Sequence, residues 1–215
     1  MIYFIAMIVI SYLCGSIPTS IIAGKLQKGI DIRQHGSGNA GATNVFRVLG
    51  WKTGLIVLLI DMAKGLIPTV WVSQLGANSG FGWEAINYQV LAGVSAVFGH
   101  IWTIFAKFKG GKGVGTAAGM VIGLAPVAVL ICIVVFAITV WLTRFVSLGS
   151  ILASITFFAV IFIQRFVLEQ PIPDLLLIFS IFIPVLIIFT HRSNIQRLLK
   201  GEENKMTFGK STANQ

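Results

Sequence analysis

Acidic residues are what this sequence has least of. Seven Asp and Glu stand against sixteen Lys and Arg among 215 residues, a formal charge of +9, and only 11% of the chain is charged at all. Asp31, Asp61 and Asp174 lie far apart. The chain therefore has no aspartate cluster of the kind that metal-dependent lipid phosphotransferases need, and neither a metal nor another cofactor is expected. Cysteine is scarce as well: Cys14 and Cys132 both sit inside apolar runs without metal-ligand spacing and read as small buried hydrophobes. The amino terminus, MIYFIAMIVISYLCGS, lacks the basic n-region of a secretory signal, its first cations being Lys25 and Lys28. Leu13 precedes Cys14, where a lipoprotein signal needs a small residue, so an uncleaved first helix with its amino terminus outside is expected. No internal repeat stands out, which counts against a transporter built from inverted repeats.

What is abundant is apolar length. Hydrophobic residues make up 56% of the chain and mean hydropathy is +0.89, more apolar surface than a soluble fold of this size can hide. Apolar runs of about 18 residues, enough for a roughly 30 Å hydrocarbon core, recur along the chain. We place the spans at 2–24, 52–75, 86–106, 114–124, 126–143, 147–167 and 174–190, the fourth of them short. The expectation is an all-α polytopic membrane protein, one integral membrane domain over residues 1–215 with about seven transmembrane helices. Pro68, Pro126 and Pro184 are its candidate kinks.

Charge sets the orientation. The connections at 25–51 and 107–113, Arg144 and the tail 191–215 are basic, whereas 76–85 and 168–173 carry Glu84 and Glu169 but no Lys or Arg. Under the positive-inside rule the chain starts outside, crosses seven times and ends in the cytoplasm. Parity decides 114–143. A single crossing there would put Arg192, Arg197, Lys200, Lys205 and Lys210 outside, so a tight hairpin helped by Gly119, Gly123 and Pro126 is expected. On a soluble protein a charge of +9 would suggest nucleic acid; here the asymmetry of the loops accounts for it. Membrane lipid is the expected partner, nucleic acid is not, and a monomer is compatible with all of this.

Three of the basic stretches carry chemistry. Residues 36–50, GSGNAGATNVFRVLG, place Gly36, Gly38 and Gly41 in a G-x-G-x-x-G pattern, but no strand precedes them, so a dinucleotide fold is rejected. The local physics survives: glycines let backbone N–H groups converge on an anion, and a following helix N-terminus adds partial positive charge. Ser37, Asn39, Thr43 and Asn44 add side-chain donors, and Arg47 can fork onto a phosphate. A flexible helix-capping loop is the bland alternative. Residues 107–119, KFKGGKGVGTAAG, set Gly110, Gly111, Gly113 and Gly115 around Lys109 and Lys112. They do not form a Walker A loop, and Gly209-Lys210-Ser211 does not complete one, because Asn204 occupies its first glycine position. A basic turn touching lipid head groups is the alternative for this stretch. Residues 191–203, HRSNIQRLLKGEE, offer His191, Arg192, Asn194 and Arg197 at helical spacing, which alone would read as a basic anchor helix. Together, at one face, the three suggest a site for two phosphate-bearing ligands.

Other candidates are weaker. Asp61 and Lys64 lie at i, i+3 in the second span and can pair, either structurally or for function. His100 is a lone membrane histidine, more often a helix-to-helix hydrogen-bonding residue than a catalyst. Arg165 is expected to snorkel toward the far face.

The strings GSIPTS (15–20), GSGNAGATNVFRVLG (36–50), GHIWTIFAKFKGGKGVGTA (99–117) and HRSNIQRLLKGEE (191–203) resemble, in order and spacing, the bacterial acyl-phosphate:glycerol-3-phosphate acyltransferases. The resemblance runs essentially end to end. It departs at Ser20, Thr103 and Lys107, where glycine, proline and glycine are common in the family. It implies a seven-span protein of the bacterial inner membrane with its active site facing the cytoplasm. The implied reaction moves a fatty acyl group from acyl phosphate to the sn-1 hydroxyl of glycerol 3-phosphate, giving lysophosphatidate and inorganic phosphate in the first acylation of phospholipid synthesis. By position, the resemblance makes Ser37, Arg47, Lys112, His191 and Asn194 the important residues. The surrounding Gly36, Gly38, Asn39, Gly41, Thr43, Asn44, Lys109, Gly110, Gly111, Gly113 and Arg192 would bind phosphate.

Other glycerolipid acyltransferases use a His-x4-Asp pair. Here Ala40, Phe105 and Gln196 follow His35, His100 and His191 at that spacing, so no such dyad exists. Positioning and charge neutralisation are expected to dominate instead, with the leaving phosphate, an acyl-phosphate oxygen or His191 accepting the hydroxyl proton. The rival reading is a small transporter of a phosphorylated metabolite; its site would lie near the bilayer midplane rather than at one face.

Overall fold

In hydrocarbon every backbone N–H and C=O must be paired within its own segment, and each expected apolar run is helical in the computed structural model. The structure describes residues 1–206, so Gly209-Lys210-Ser211 and the polar end KSTANQ lie outside the described residues. The first run divides into α1 (Ile2–Ser16) and α2 (Thr19–Lys28). It breaks at Ile17–Pro18, because Pro18 has no N–H to carry the helix through. After α3 (Ala42–Leu49), α4 (Trp51–Ile67) passes through a π-helical turn at Pro68–Val72 into the short α5 (Gln74–Ala77). Then come α6 (Ala85–Ile101), α7 (Val114–Leu124), α8 (Pro126–Thr143), α9 (Val146–Phe166), α10 (Asp174–Thr190) and α11 (Arg192–Leu199).

Length separates these helices into classes. Five segments are long and apolar enough to cross a membrane: Ile2–Lys28, Trp51–Ala77, Ala85–Ala106, Pro126–Thr143 and Val146–Phe166. The pair α10 and α11, bent by 63°, makes a sixth if it is taken as one broken span. Helix α7 has 11 residues, which at 1.5 Å each reach about 16 Å, half of a hydrocarbon core. Of the three prolines expected to kink helices, Pro68 opens the π turn and Pro184 lies inside α10 without ending it. Pro126 instead starts α8, where a missing N–H is harmless. Arg165 does not snorkel alone. It pairs with Asp174 at 2.7 Å and donates to the Ile172 carbonyl, joining the end of α9 to the start of α10.

Close approach of backbones, which small residues permit in membranes, sets the packing. A Cβ at Gly15 or Gly99 would run into the facing backbone of Ala96 or Tyr12, so α1 and α6 meet at van der Waals contact. Gly65 against Thr116 and Gly119 against Met62 do the same for α4 and α7. Val97, Met120, Phe157, Ile161, Phe179 and Ile183 fill the core between α6, α7, α9 and α10.

One end of the bundle gathers the basic connections. Lys64 Nζ reaches the Ile17 carbonyl at the α1–α2 break, and Arg33 reaches the carbonyls of Ala106 and Lys109. Thr190 at the end of α10 donates to the Lys112 carbonyl at 3.2 Å. Segments far apart in the chain thus form a single surface.

Candidate active site

The loop before α3 is shaped by Asn44. Its amide nitrogen donates to the carbonyls of Ile32 (3.0 Å) and His35 (2.9 Å), and its oxygen accepts from the Ser37 backbone N–H at 2.8 Å. At 1% exposure it has no donor left for a ligand, so it holds the loop rather than binding phosphate as expected. Gly36 turns there at φ 61, and a Cβ at that position would strike the Asn44 oxygen. No described residue bonds the Ser37 hydroxyl or the side chains of Asn39 and Thr43, which are left for a ligand. Helix α3 then begins at Gly41 without a side-chain cap, with its first N–H groups open.

The second loop repeats this ending. Helix α7 starts at Gly113, which adopts φ 84, again without a side-chain cap. Gly110 and Gly111, expected to offer backbone donors, give them to the carbonyls of Ile101 (3.0 Å) and His100 (3.1 Å). These two glycines moor the loop to the end of α6. The donors left at this corner are those of the α7 N-terminus and Lys112. The Ala40 carbonyl abuts Gly111, so the two glycine loops are in contact.

Around Lys112 lies a compact charge cluster. Its ammonium donates to the Asn194 side-chain oxygen, and Asn194 Nδ2 donates to Glu203 Oε1 at 2.7 Å. Ser147 Oγ bonds the same carboxylate oxygen at 3.1 Å, while Arg197 Nε donates to Glu203 Oε2 at 2.9 Å. Arg47 donates to the Asn204 carbonyl at 3.0 Å, and its charge and that of Arg197 both act on Lys112. Three cations share one carboxylate, an excess that favours an anionic ligand. Burial, more than these cations, pushes the Lys112 amine down to about 8, with Glu203 opposing. His191 is 3% exposed, and its Nδ1 lies 2.8 Å from the Ile187 carbonyl. A carbonyl only accepts, so Nδ1 carries the proton and Nε2 keeps a lone pair.

Two expected residues stand outside this cluster. Arg192 folds back on α10, donating to the Phe189 carbonyl and lying 4.8 Å over the Phe189 ring. Lys109 is exposed on the loop surface. The sequence alone does not single out Glu203, because a carboxylate in a basic tail reads as solvated. Among the described residues no three His, Cys, Asp or Glu side chains converge to hold a metal ion.

Behind Gly111 is a second, buried cluster. Asp61 Oδ1 accepts from Lys64 Nζ at 2.7 Å and from Thr19 Oγ1 at 2.5 Å. Lys64 also donates to Ile17 O at 2.8 Å and Thr19 Oγ1 at 3.0 Å, and stands 3.4 Å from His100 Nδ1. The pair expected at i, i+3 therefore exists, and it pins the α1–α2 break to α4 and α6.

Open helix N-termini, excess cations and a histidine lone pair, at one end of an apolar bundle, define an integral membrane protein built to hold anionic ligands. The chain belongs to the glycerol-3-phosphate acyltransferase family, whose family model matches residues 5–201. It is 50% identical to the glycerol-3-phosphate acyltransferase of Chlorobium luteolum over 96% of this chain and 98% of that relative. Identity to the Chlorobaculum tepidum glycerol-3-phosphate acyltransferase is 51%, over 98% and 99% of the two chains. The fold is similar to the crystal structure of PlsY, an integral membrane glycerol 3-phosphate acyltransferase, in its glycerol 3-phosphate form. The TM-score is 0.83 at 38% identity, covering 95% of this chain and 96% of that one. The lysophosphatidic acid form of PlsY gives 0.79 at the same identity.

Proposed function

We propose that this chain is an enzyme that transfers a fatty acyl group from acyl phosphate to the sn-1 hydroxyl of glycerol 3-phosphate. The hydroxyl oxygen forms the new ester bond as the carbonyl carbon releases inorganic phosphate, leaving lysophosphatidate in the bilayer. The observation that carries this reading is the cluster of Lys112, Arg47 and Arg197 around the single carboxylate of Glu203, beside two uncapped helix N-termini. Both substrates and the leaving group are phosphates, and preorganised cations stabilise charge as it develops. Ser37, Asn39 and Thr43, with the α3 N-terminus, hold one phosphate; Lys112 and the α7 N-terminus hold the other. His191 Nε2 or the departing phosphate takes the hydroxyl proton. No His-x4-Asp dyad is needed, because phosphate is already a good leaving group. The site faces the cytoplasm of the bacterial inner membrane, in keeping with the basic connections gathered there.

Sealed membrane vesicles test donor and side together. Acyl phosphate and glycerol 3-phosphate added outside should give lysophosphatidate with inverted vesicles and little with right-side-out ones, unaffected by EDTA. Acyl-CoA should give almost none, since a thioester presents no comparable charge to the cations. Efficient turnover of acyl-CoA by the purified protein without phosphate would overturn the donor, and equal activity in both vesicle types would overturn the side.

A further inference from the structure

The buried cluster behind Gly111 has a feature that the reaction described above does not use. Lys64, as an ammonium, can only donate, and it stands 3.4 Å from His100 Nδ1. A proton on that nitrogen would point at a positive charge, and Asp61 Oδ1, at 3.8 Å, is beyond hydrogen-bond reach. Nδ1 is therefore the unprotonated nitrogen, and Nε2 carries the hydrogen. His100 is 7% exposed, so this tautomer is set by the protein and not by bulk water.

The Nε2 edge of the ring lies where the two glycine loops touch. A Cβ at Gly111 would collide with His100 Nε2, and it would also come within 2.9 Å of the Ala40 carbonyl oxygen. An adjoining cavity of about 10 Å³, lined among others by Ser20, Ala40, His100 and Gly111, has room for about one water. The same histidine accepts from the Gly111 N–H through its own carbonyl at 3.1 Å. Gly111 is thus held from two sides by one residue. Lys112 follows Gly111 directly, and Ala40 immediately precedes Gly41, from which α3 starts.

We propose that His100 is a positioning residue: its Nε2–H, oriented by Lys64 and Asp61, bonds the Ala40 carbonyl through one water in the adjoining cavity and fixes the two phosphate loops in register. The imidazole touches no substrate. It sets the distance between the α3 N-terminus and Lys112, the two elements that hold the two phosphates, and so rests on the site reading given above. A displacement of about 1 Å between catalytic elements can reduce turnover by about a hundredfold.

Amide replacements separate the two ring nitrogens. His100→Gln places its amide nitrogen near the Nε2 position, His100→Asn places one near Nδ1, and His100→Phe keeps the ring without a donor. In the full-length detergent-purified protein, Gln should stay close to wild type. Asn and Phe should lose about a hundredfold in kcat/KM for glycerol 3-phosphate. They should also lose the rise in melting temperature that glycerol 3-phosphate or inorganic phosphate gives, while their ligand-free melting temperatures stay unchanged. Loss in Gln equal to that in Asn, or full activity in Asn and Phe, would overturn the proposal.

Histidine ¹⁵N spectra of the wild type provide a reading that no variant's folding can spoil. His100, identified by the resonances missing in His100→Gln or by a coupling through Nδ1 to Lys64, should show Nδ1 unprotonated and Nε2 protonated. The opposite tautomer or an imidazolium would overturn it. Failure of wild-type turnover would count against the acyltransfer reading alone, because the phosphate-induced thermal shift and the tautomer are measured without it.

Discussion

Two charge clusters flank the loop that carries Gly110, Gly111 and Lys112, and they follow opposite rules. Behind Gly111, Asp61 and Lys64 are each 3% exposed, and every charge has its partner within the protein. In front, Lys112, Arg47 and Arg197 face one carboxylate, and donors at two helix ends remain open. The closed cluster sums to neutrality and ties three chain segments together. The open one keeps more cations than carboxylates, a balance that an anionic substrate would complete under the proposed function. Burial alone does not distinguish them, for Glu203 and Asn194 are buried as well; the balance of charge does.

The comparison breaks most visibly if the closed cluster is opened. Lys64→Met leaves Asp61 as an uncompensated charge inside the bundle and should cost about 3–5 kcal/mol of stability. Asp61→Asn combined with Lys64→Met removes both charges and should recover most of that loss. Unfolding in detergent measures both, and equal stability of the single and double variants would mean that the pair is solvated. Lys112→Ala should do the reverse. It should lower kcat/KM by about a hundred- to a thousandfold while leaving the melting temperature nearly unchanged. If Lys112→Ala kept most of its activity, Lys112 would be an interfacial anchor and not part of the site.

The smallest effect comes from titrating the same amine. Under the proposed function Lys112 would bind phosphate in its charged form, and burial has pushed its amine down to about 8. Above that pH, kcat/KM should fall by about tenfold per unit, as a single deprotonation demands. Lys112→Arg should flatten the fall if the guanidinium reaches the same phosphate. Stability has the opposite sign. Between about 8 and the 10.5 of an unperturbed lysine, the unfolded chain binds the extra proton, so this group's contribution to stability rises with pH across that window. Parallel loss of activity and stability over that range would place the titration elsewhere.

Some of the site was legible one residue at a time, and the misses have physical causes. Lys112 and Arg47 were visible because long cations beside glycines have few purely structural uses. Asn44 has the same donors as any phosphate ligand, and only the positions of the Ile32 and His35 carbonyls reveal that it is engaged. Arg192 is separable from the cluster on sequence spacing alone. Asn194 and Arg197 are three apart and share a helix face, whereas Arg192 is two residues from Asn194 and points to another side. Gly110 and Gly111 are expected from the sequence to bind phosphate, but their N–H groups are given to the carbonyls at the end of α6.

Composition and periodicity by themselves determined the membrane class and the positions of the apolar segments, because the energy of placing about 18 apolar residues in hydrocarbon depends on the sequence and hardly on what surrounds it. Order along the chain likewise located the glycine and cation stretches. Only the tertiary structure decided which donors remain free and which carboxylate offsets the cations. It also decided which of two histidines carries its proton on Nδ1 and which on Nε2. Those are properties of contact between residues as distant as Lys64 and Ile17 or Lys112 and Asn194, and a hydrogen bond has no meaning until both of its partners have been brought within about 3 Å.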